Sequence, residues 1–356
     1  MSTPQRILIV GPSWVGDMVM AQSLFIELRH RNPEAVIDVL APAWSRPLLA
    51  RMPQVRQAID LPLAHREVGL GKRFRLGRTL AERHYDQAIL LPNSFKSALV
   101  PLFAGIPLRT GWRGEKRGWV LNDCRDLDKQ TLPLMVQRFV ALGLPADSAL
   151  PVDLPDPLPV PQLQVNREQA RQVCEQFALP PGQRLLMLCP GAEFGDAKRW
   201  PCEHYAEVAK EHINKGWHVV LMGSAKDQAV TGEIAALTGN EACHDLAGKT
   251  SLDQAIDLLS QATAVVSNDS GLMHIAAALH RPLVAVYGST SADFTPPLSD
   301  QVAILNTDID CRPCFQRECP LQHKRCLTEL EPSRVIKALE RLSASIIVGD
   351  MQPCVS

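Results

Sequence analysis

No long apolar run opens this chain. After Met1–Arg6 come only four apolar residues, Ile7–Val10, before Gly11 and Pro12. That falls far short of a secretory signal or a membrane span, and the expected location is the cytoplasm. Charge of one sign is lacking too: 37 Lys and Arg stand against 38 Asp and Glu, a formal net charge of −1, with no global attraction for nucleic acid. Two nucleotide signatures are missing. Gly11–Asp17 has neither the G-x-G-x-x-G spacing of a dinucleotide fingerprint nor the Gly-Lys-Ser/Thr of a P-loop, and no strand leads into Gly69-Leu-Gly71. A nicotinamide-dependent oxidoreductase, one competing function, needs the fingerprint that is absent.

What is present is length for two cores: 356 residues, 46% hydrophobic and 21% charged, are the proportions of a globular chain of two domains. Short β-rich runs alternate with helical patterns, as in α/β architecture with parallel sheets. Ile7–Val10, Ala35–Leu40 and Gln87–Leu91 read as strands, with a helix over Asp17–Arg31 whose Met18, Ala21, Leu24, Phe25 and Leu28 share one face. Prolines at 145, 151, 155, 157, 159 and 161 mark a semi-rigid linker. The plan then restarts. Strands are expected near 184–189, 218–222, 264–267 and 283–287, and helices near 166–177, 203–215, 226–237, 252–261 and 271–280. The expected domains are 1–161, 162–330 and a terminal helix and tail over 331–356, with Pro332 opening a helix striped by Val335, Leu339, Leu342 and Ile346. Two doubly wound halves facing each other would place ligands at the carboxyl ends of their strands, in the cleft between them.

The halves differ in charge. Residues 1–165 carry 20 Lys and Arg against 15 Asp and Glu, leaving 17 against 23 in the remainder. Arg66, Lys72, Arg73, Arg75, Arg78, Arg83, Lys96, Arg109, Arg113, Lys116 and Arg117 form a basic stretch for an anionic partner or membrane face; the plainer alternative, for residues 72–83, is a solvated arginine-rich helix face.

Three loops carry the chemistry, since helix amino termini after strands present N–H groups to anions. In Gly11–Asp17, Asp17 at the helix start is either an ordinary acidic cap or, ionised, a general base. In Pro190–Pro201, Gly191 and Gly195 permit close backbone approach, and Lys198 and Arg199 offer cations to a phosphate; a glycine turn with surface cations is the plainer alternative. In Ser267–His274, Ser270 or Asp269 can cap the next helix, Gly271 admits a diphosphate to its N–H groups, and His274 can donate to the same anion or simply be packed. Asp126–Asp128 and Asp308–Asp310 are Asp-x-Asp strings of the metal-diphosphate kind, read here as loop carboxylates.

With GPSWVGDMVMAQSL at 11–24, APAW at 41–44, LPNSFKSALVPLFAGIP at 91–107, CPGAEFGDAKRWP at 189–201 and SNDSGLMHIAAAL at 267–279, nearly the whole chain resembles the ADP-heptose:lipopolysaccharide heptosyltransferases, closest to their type II members. The resemblance implies an α/β GT-B fold of two Rossmann-like domains, acceptor-binding first and ADP-sugar-binding second. It implies inverting transfer of L-glycero-D-manno-heptose from ADP-heptose to heptosyl-Kdo2-lipid A, with ADP released, no required cofactor, and work at the cytoplasmic face of the inner membrane. A type I or later inner-core step is the near alternative; a non-catalytic nucleotide-sugar or metal-binding regulator is the distant one. Residue by residue, it makes Asp17 the base and puts Lys198, Asp269, Ser270, Gly271 and His274 on the donor, with Gly191 in the donor loop. Asp227 is placed loosely near the ribose, and Asn93, Ser94 and Lys96 toward the acceptor.

Cys311, Cys314, Cys319 and Cys326 stand apart from all of this. They fall within sixteen residues, spaced by two, four and six. A reducing compartment argues against disulfides among them, and the spacing permits a four-thiolate zinc site without matching paired C-x-x-C knuckles.

Overall fold

The computed structural model describes residues 4–63 and 67–349, with side chains as far as residue 342. Arg66 of the basic stretch and the side chain of Ile346 in the terminal stripe lie outside the described residues. The chain divides into two units, Met1–Gln164 with Asp293–Thr295, and Val165–Ala292 with Pro296–Ser356.

The first unit holds β1 (Arg6–Val10), β2 (Val36–Ala41), β3 (Val55–Asp60), β4 (Gln87–Leu90), β5 (Leu108–Trp112) and β6 (Asp123–Arg125), in the spatial order β3-β2-β1-β4-β5-β6. The second holds β7 (Leu185–Cys189), β8 (His218–Leu221), β9 (Cys243–Asp245), β10 (Ala264–Asn268), β11 (Leu283–Val286) and β12 (Val302–Leu305), ordered β12-β11-β10-β7-β8-β9. Neighbouring strands pair in parallel in both sheets. Each unit is therefore doubly wound, its first strand central and its chain reversing direction across the sheet.

Burial explains which strands form the centre. β7 (LLMLC) and β10 (AVVSN) are buried throughout, and β1 is buried from Ile7 to Val10, as strands covered by helices on both faces must be. Five strands were not anticipated: β3, β5, β6, β9 and β12. Four of these are sheet edges, where one neighbour and partial solvation tolerate sequences such as VRQAID and DCR. The arginine-rich helix face read as the alternative over 72–83 is the helix Leu70–Ala81, and it is not wholly solvated, since Arg73, Gly77 and Leu80 are buried.

Between 145 and 166 there is neither helix nor strand. The end of that segment is fastened to the first unit by the fully buried Gln22 amide, which donates to the Gln162 carbonyl at 2.7 Å and accepts from the Gln162 N–H at 2.9 Å. The helix Pro332–Gly349 belongs to the core of the second unit. Its Val335 and Leu339 are fully buried with Trp200, Val266 and Val284, and Leu342 packs against them.

Candidate active site

In each sheet the connections diverge at one pair of central strands, β1 and β4 in the first unit, β7 and β10 in the second. Such a divergence leaves a hollow at the carboxyl edge, where doubly wound sheets hold ligands. Asp17 follows β1, and Asn93, Ser94 and Lys96 follow β4. Gly191 and Lys198 follow β7, while Asp269, Ser270, Gly271 and His274 follow β10. The residues singled out in the sequence thus gather, within each unit, at its divergence point. Asp227 follows the neighbouring β8.

In the second unit the Lys198 ammonium lies 2.5 Å from the Asp269 carboxylate, and the Thr290 hydroxyl donates to the same carboxylate oxygen at 2.6 Å. The ammonium also sits over the Phe194 ring, 4.8 Å from its centroid. Neither Ser270 nor Asp269 caps the helix Gly271–Ala278, contrary to expectation. Ser270 occupies the cap position, but its hydroxyl pairs with that of Ser267 at 3.1 Å, and Asp269 is taken by Lys198 and Thr290. An uncapped helix start leaves first-turn N–H groups for another acceptor. His274, one turn along, is buried, and burial pushes its pKa down to about 4; the nearby Asp269 charge raises it and the Lys198 charge lowers it, both less strongly. The imidazole is neutral at physiological pH, a hydrogen-bonding group without charge.

Asp227 has structural partners of its own. Its Oδ2 accepts from the Ser224 N–H at 2.9 Å and hydroxyl at 2.8 Å, closing a capping box, and Arg199 lies 3.6 Å from Oδ1. Gly191 has to be glycine for the same reason, since a Cβ there would stand 2.7 Å from that carboxylate. Arg199, expected as a phosphate cation, is turned toward Asp227.

In the first unit Asp17 is the third residue of the helix Val15–Arg31, half-buried, and the cap position is Trp14. Asp17 is therefore not the cap; its charge sits in the first turn, where the helix dipole favours an anion. The loop with Asn93, Ser94 and Lys96 is built around Arg117, which is fully buried. Its guanidinium donates to Asn93 Oδ1 at 3.1 Å, the Trp112 carbonyl at 2.8 Å, the Ser97 hydroxyl at 3.0 Å and the Pro92 carbonyl. Desolvation lowers its pKa.

Much of the supposed basic face is accordingly internal or neutralised. Arg117 and Arg73 are buried, Lys72 pairs with Glu67 at 2.8 Å, Arg113 with Asp126 at 2.5 Å and Arg83 with Asp38 at 3.4 Å. Arg75, Arg78 and Lys116 remain exposed. Asp126 and Asp128 are indeed loop carboxylates: the first holds Arg113, and the second accepts from the Gln130 N–H and the Thr131 hydroxyl. Among the described residues no three His, Cys, Asp or Glu side chains are set to hold a metal ion as they stand.

Sequence reasoning missed Asn268, the last residue of β10 and fully buried. Its Oδ1 accepts from the Trp200 N–H and the Tyr205 hydroxyl, and its amide donates to the Pro190 carbonyl at 2.6 Å. A polar residue ending a buried strand just before the Asp-Ser-Gly turn was the available signal. Trp14 and Trp44, 46% and 37% exposed after β1 and β2, are large aromatic residues that the sequence reading does not single out.

Residues 73–325 match glycosyltransferase family 9 (heptosyltransferase). Lipopolysaccharide heptosyltransferase 2 of Escherichia coli (strain K12) is 51% identical over 341 residues, 95% of this chain and 98% of the relative. The chain belongs to glycosyltransferase family 9. Lipooligosaccharide heptosyltransferase 2 of Haemophilus influenzae is 51% identical over 309 residues, 84% of this chain and 88% of that one. The solved structure of the E. coli ADP-heptose lipopolysaccharide heptosyltransferase II superposes with a TM-score of 0.87 at 50% identity, covering 96% of this chain and 99% of that one. Family membership makes the chain a glycosyltransferase, and its two doubly wound units are those of the GT-B class.

The buried imidazole yields a pH prediction. His274 titrates near 6.5 when unfolded and near 4 when folded. The folded state therefore gains from neutral His274 above pH 6.5 and loses that gain as pH falls toward 4, by up to about 3 kcal/mol. Between those pH values, denaturant unfolding of His274→Gln should show a shallower loss of stability than that of the unsubstituted chain. Parallel pH dependences would show that His274 does not carry the effect.

Proposed function

We propose that this chain transfers L-glycero-D-manno-heptose from ADP-heptose to the first heptose of heptosyl-Kdo2-lipid A, inverting the anomeric carbon and releasing ADP, in the cytoplasm at the face of the inner membrane. The observation that supports it most is the uncapped start of the helix Gly271–Ala278, flanked by Lys198 and the neutral His274. This arrangement occurs in a chain 51% identical over 95% of its length to a lipopolysaccharide heptosyltransferase 2.

As the sugar–diphosphate bond breaks, negative charge grows on the departing oxygen. The first-turn N–H groups of Gly271 and its successors, the Lys198 ammonium and a donated imidazole N–H would meet that charge already oriented. No metal ion is needed to supply the positive charge on this assignment. The acceptor hydroxyl must lose its proton as it attacks, and Asp17 is the carboxylate assigned to take it. Asn93, Ser94 and Lys96 would position the anionic acceptor core, with the exposed rings of Trp14 and Trp44 available to the C–H faces of its sugars.

The helix Leu70–Ala81 favours a membrane contact. Leu70 and Phe74, 56% and 51% exposed, share it with exposed Arg75 and Arg78, and exposed Val68 precedes it. Apolar residues beside cations are the composition of an interfacial helix. No helix among the described residues is long and apolar enough to cross a membrane.

Three outcomes are expected. Binding to vesicles rich in anionic lipid should fall with salt to a residual level, and Leu70→Ser should remove that residue; binding that ignores both salt and Leu70 would move the contact elsewhere. Lys198→Ala should weaken ADP binding in calorimetry by about 10–100-fold, and Lys198→Arg by less, since a charge-assisted hydrogen bond contributes about 1.5–3 kcal/mol. Equal losses, with equally lowered unfolding temperatures, would make Lys198 only the counter-ion of Asp269. Asp17→Asn keeps size and polarity but cannot accept a proton, so turnover should drop about 10²–10⁴-fold with ADP-heptose affinity nearly unchanged. The low-pH limb of the rate profile should vanish with it. Turnover within about tenfold of the unsubstituted enzyme would place the base elsewhere.

A further inference from the structure

Cys311, Cys314, Cys319 and Cys326 take no part in the chemistry above. They lie between β12 and the helix Pro332–Gly349, and all four, with His323, border one small cavity of about 20 Å³. That is room for a single water-sized guest. All four are free thiols.

The same segment supports the loop that carries Lys198. Arg312 donates to the carbonyls of Gly288 at 2.9 Å, Thr307 at 3.2 Å and Thr290 at 3.2 Å, and Thr290 is the residue that hydrogen-bonds Asp269. The Phe315 N–H donates to the Ser289 carbonyl at 2.7 Å, and the Ala197 N–H donates to the Arg317 carbonyl at 3.0 Å. Lys324 pairs with Asp196. Gly195 has a positive φ of 156° and passes so close that a Cβ would stand 2.4 Å from the Arg317 carbonyl oxygen. A segment of four cysteines with little regular structure thus forms the support for residues 195–198.

We propose that Cys311, Cys314, Cys319 and Cys326 bind one thiophilic divalent cation, zinc or iron(II), as a clasp holding the segment 311–326 against the Lys198 loop. Four cysteines bordering one ion-sized space can supply the four-thiolate donor set that such ions take tetrahedrally. As they stand the thiols are not at ligand positions, so binding turns them inward about χ1, and each ligating thiol gives up its proton. The cation is structural: the cluster closes on itself and leaves no open coordination position for a substrate. Its consequence for ADP binding rests on the donor assignment above, whereas its existence does not.

The test uses the full chain, purified under reducing conditions without chelator, with zinc and iron counted per chain by mass spectrometry. About one ion per chain is expected, retained through dialysis and lost in Cys314→Ser and in Cys319→Ser, both half-buried positions whose variants should remain folded by circular dichroism. Stripping the ion with a strong chelator should lower the unfolding temperature and weaken ADP binding about tenfold or more, and added zinc should restore both. Less than about 0.1 ion per chain after reconstitution with either metal, an ion indifferent to both substitutions, or disulfides among these four cysteines would overturn the site. An ion whose removal leaves ADP binding intact would overturn the clasp. A loaded chain with no ADP affinity at all would instead refute the donor assignment and leave the metal site standing.

Discussion

The second unit depends on a single amide. At the divergence point of its sheet, β7 and β10 pair in parallel while the chains leaving them go separate ways, so nothing in the ladder fixes the two loops relative to each other. Asn268 does so. One side chain receives the Trp200 N–H and the Tyr205 hydroxyl from the β7 side and gives its own N–H to the Pro190 carbonyl, without exposing a polar atom to a core that could not solvate it. Trp200, fully buried, is anchored at its other end by donation to the Leu330 carbonyl, which extends the constraint toward the terminal helix. Lys198 lies two residues from Trp200 and Asp269 one residue from Asn268. The amide therefore stands next to both partners of the 2.5 Å ion pair along the chain.

The first unit meets the same requirement with charge. Arg117 spreads its donors over the loop after β4 and over Trp112 at the end of β5, a task suited to a planar group with five N–H donors. A buried guanidinium is costly unless every donor is used, so this loop should tolerate little change around it. The position also explains why Gly114 is glycine, because a Cβ there would stand 2.8 Å from the Asn93 carbonyl oxygen.

What could be seen in the sequence divides along the same physical line. Buried strands such as LLMLC declare themselves because both their faces must be apolar, and the loops after them are then located within a residue or two. Edge strands such as Asp123–Arg125 carry no such signal, since their stability comes from a neighbour distant in sequence. Charge was the least legible property. Arg117 and Arg73 look like surface residues in a run of cations, and only the fold shows that backbone carbonyls are among their partners. Likewise, Ser270 has the composition of a cap and stands at the cap position, yet the nearby Ser267 hydroxyl claims it. Local propensity predicted where the helix begins, and the competing hydrogen bond decided what its first turn is left to bind.

That competition gives the electrostatics around Lys198 their logic. A lone ammonium this deep would be penalised by desolvation, and a bare uncapped helix start would leave its N–H groups without acceptors. Pairing Lys198 with Asp269 balances the first, and Thr290 shares the carboxylate so that it is held by two donors. The site is thus close to neutral before any ligand arrives, with His274 uncharged beside it. On the donor assignment proposed above, an incoming diphosphate would add its charge to a cation already in place, while Asp269, fixed behind that cation, would moderate how tightly a doubly charged group is held. Interactions that strengthen as charge grows on a leaving group accelerate the reaction, whereas those that merely hold the product slow its release. A cation tempered by a neighbouring carboxylate favours the first over the second.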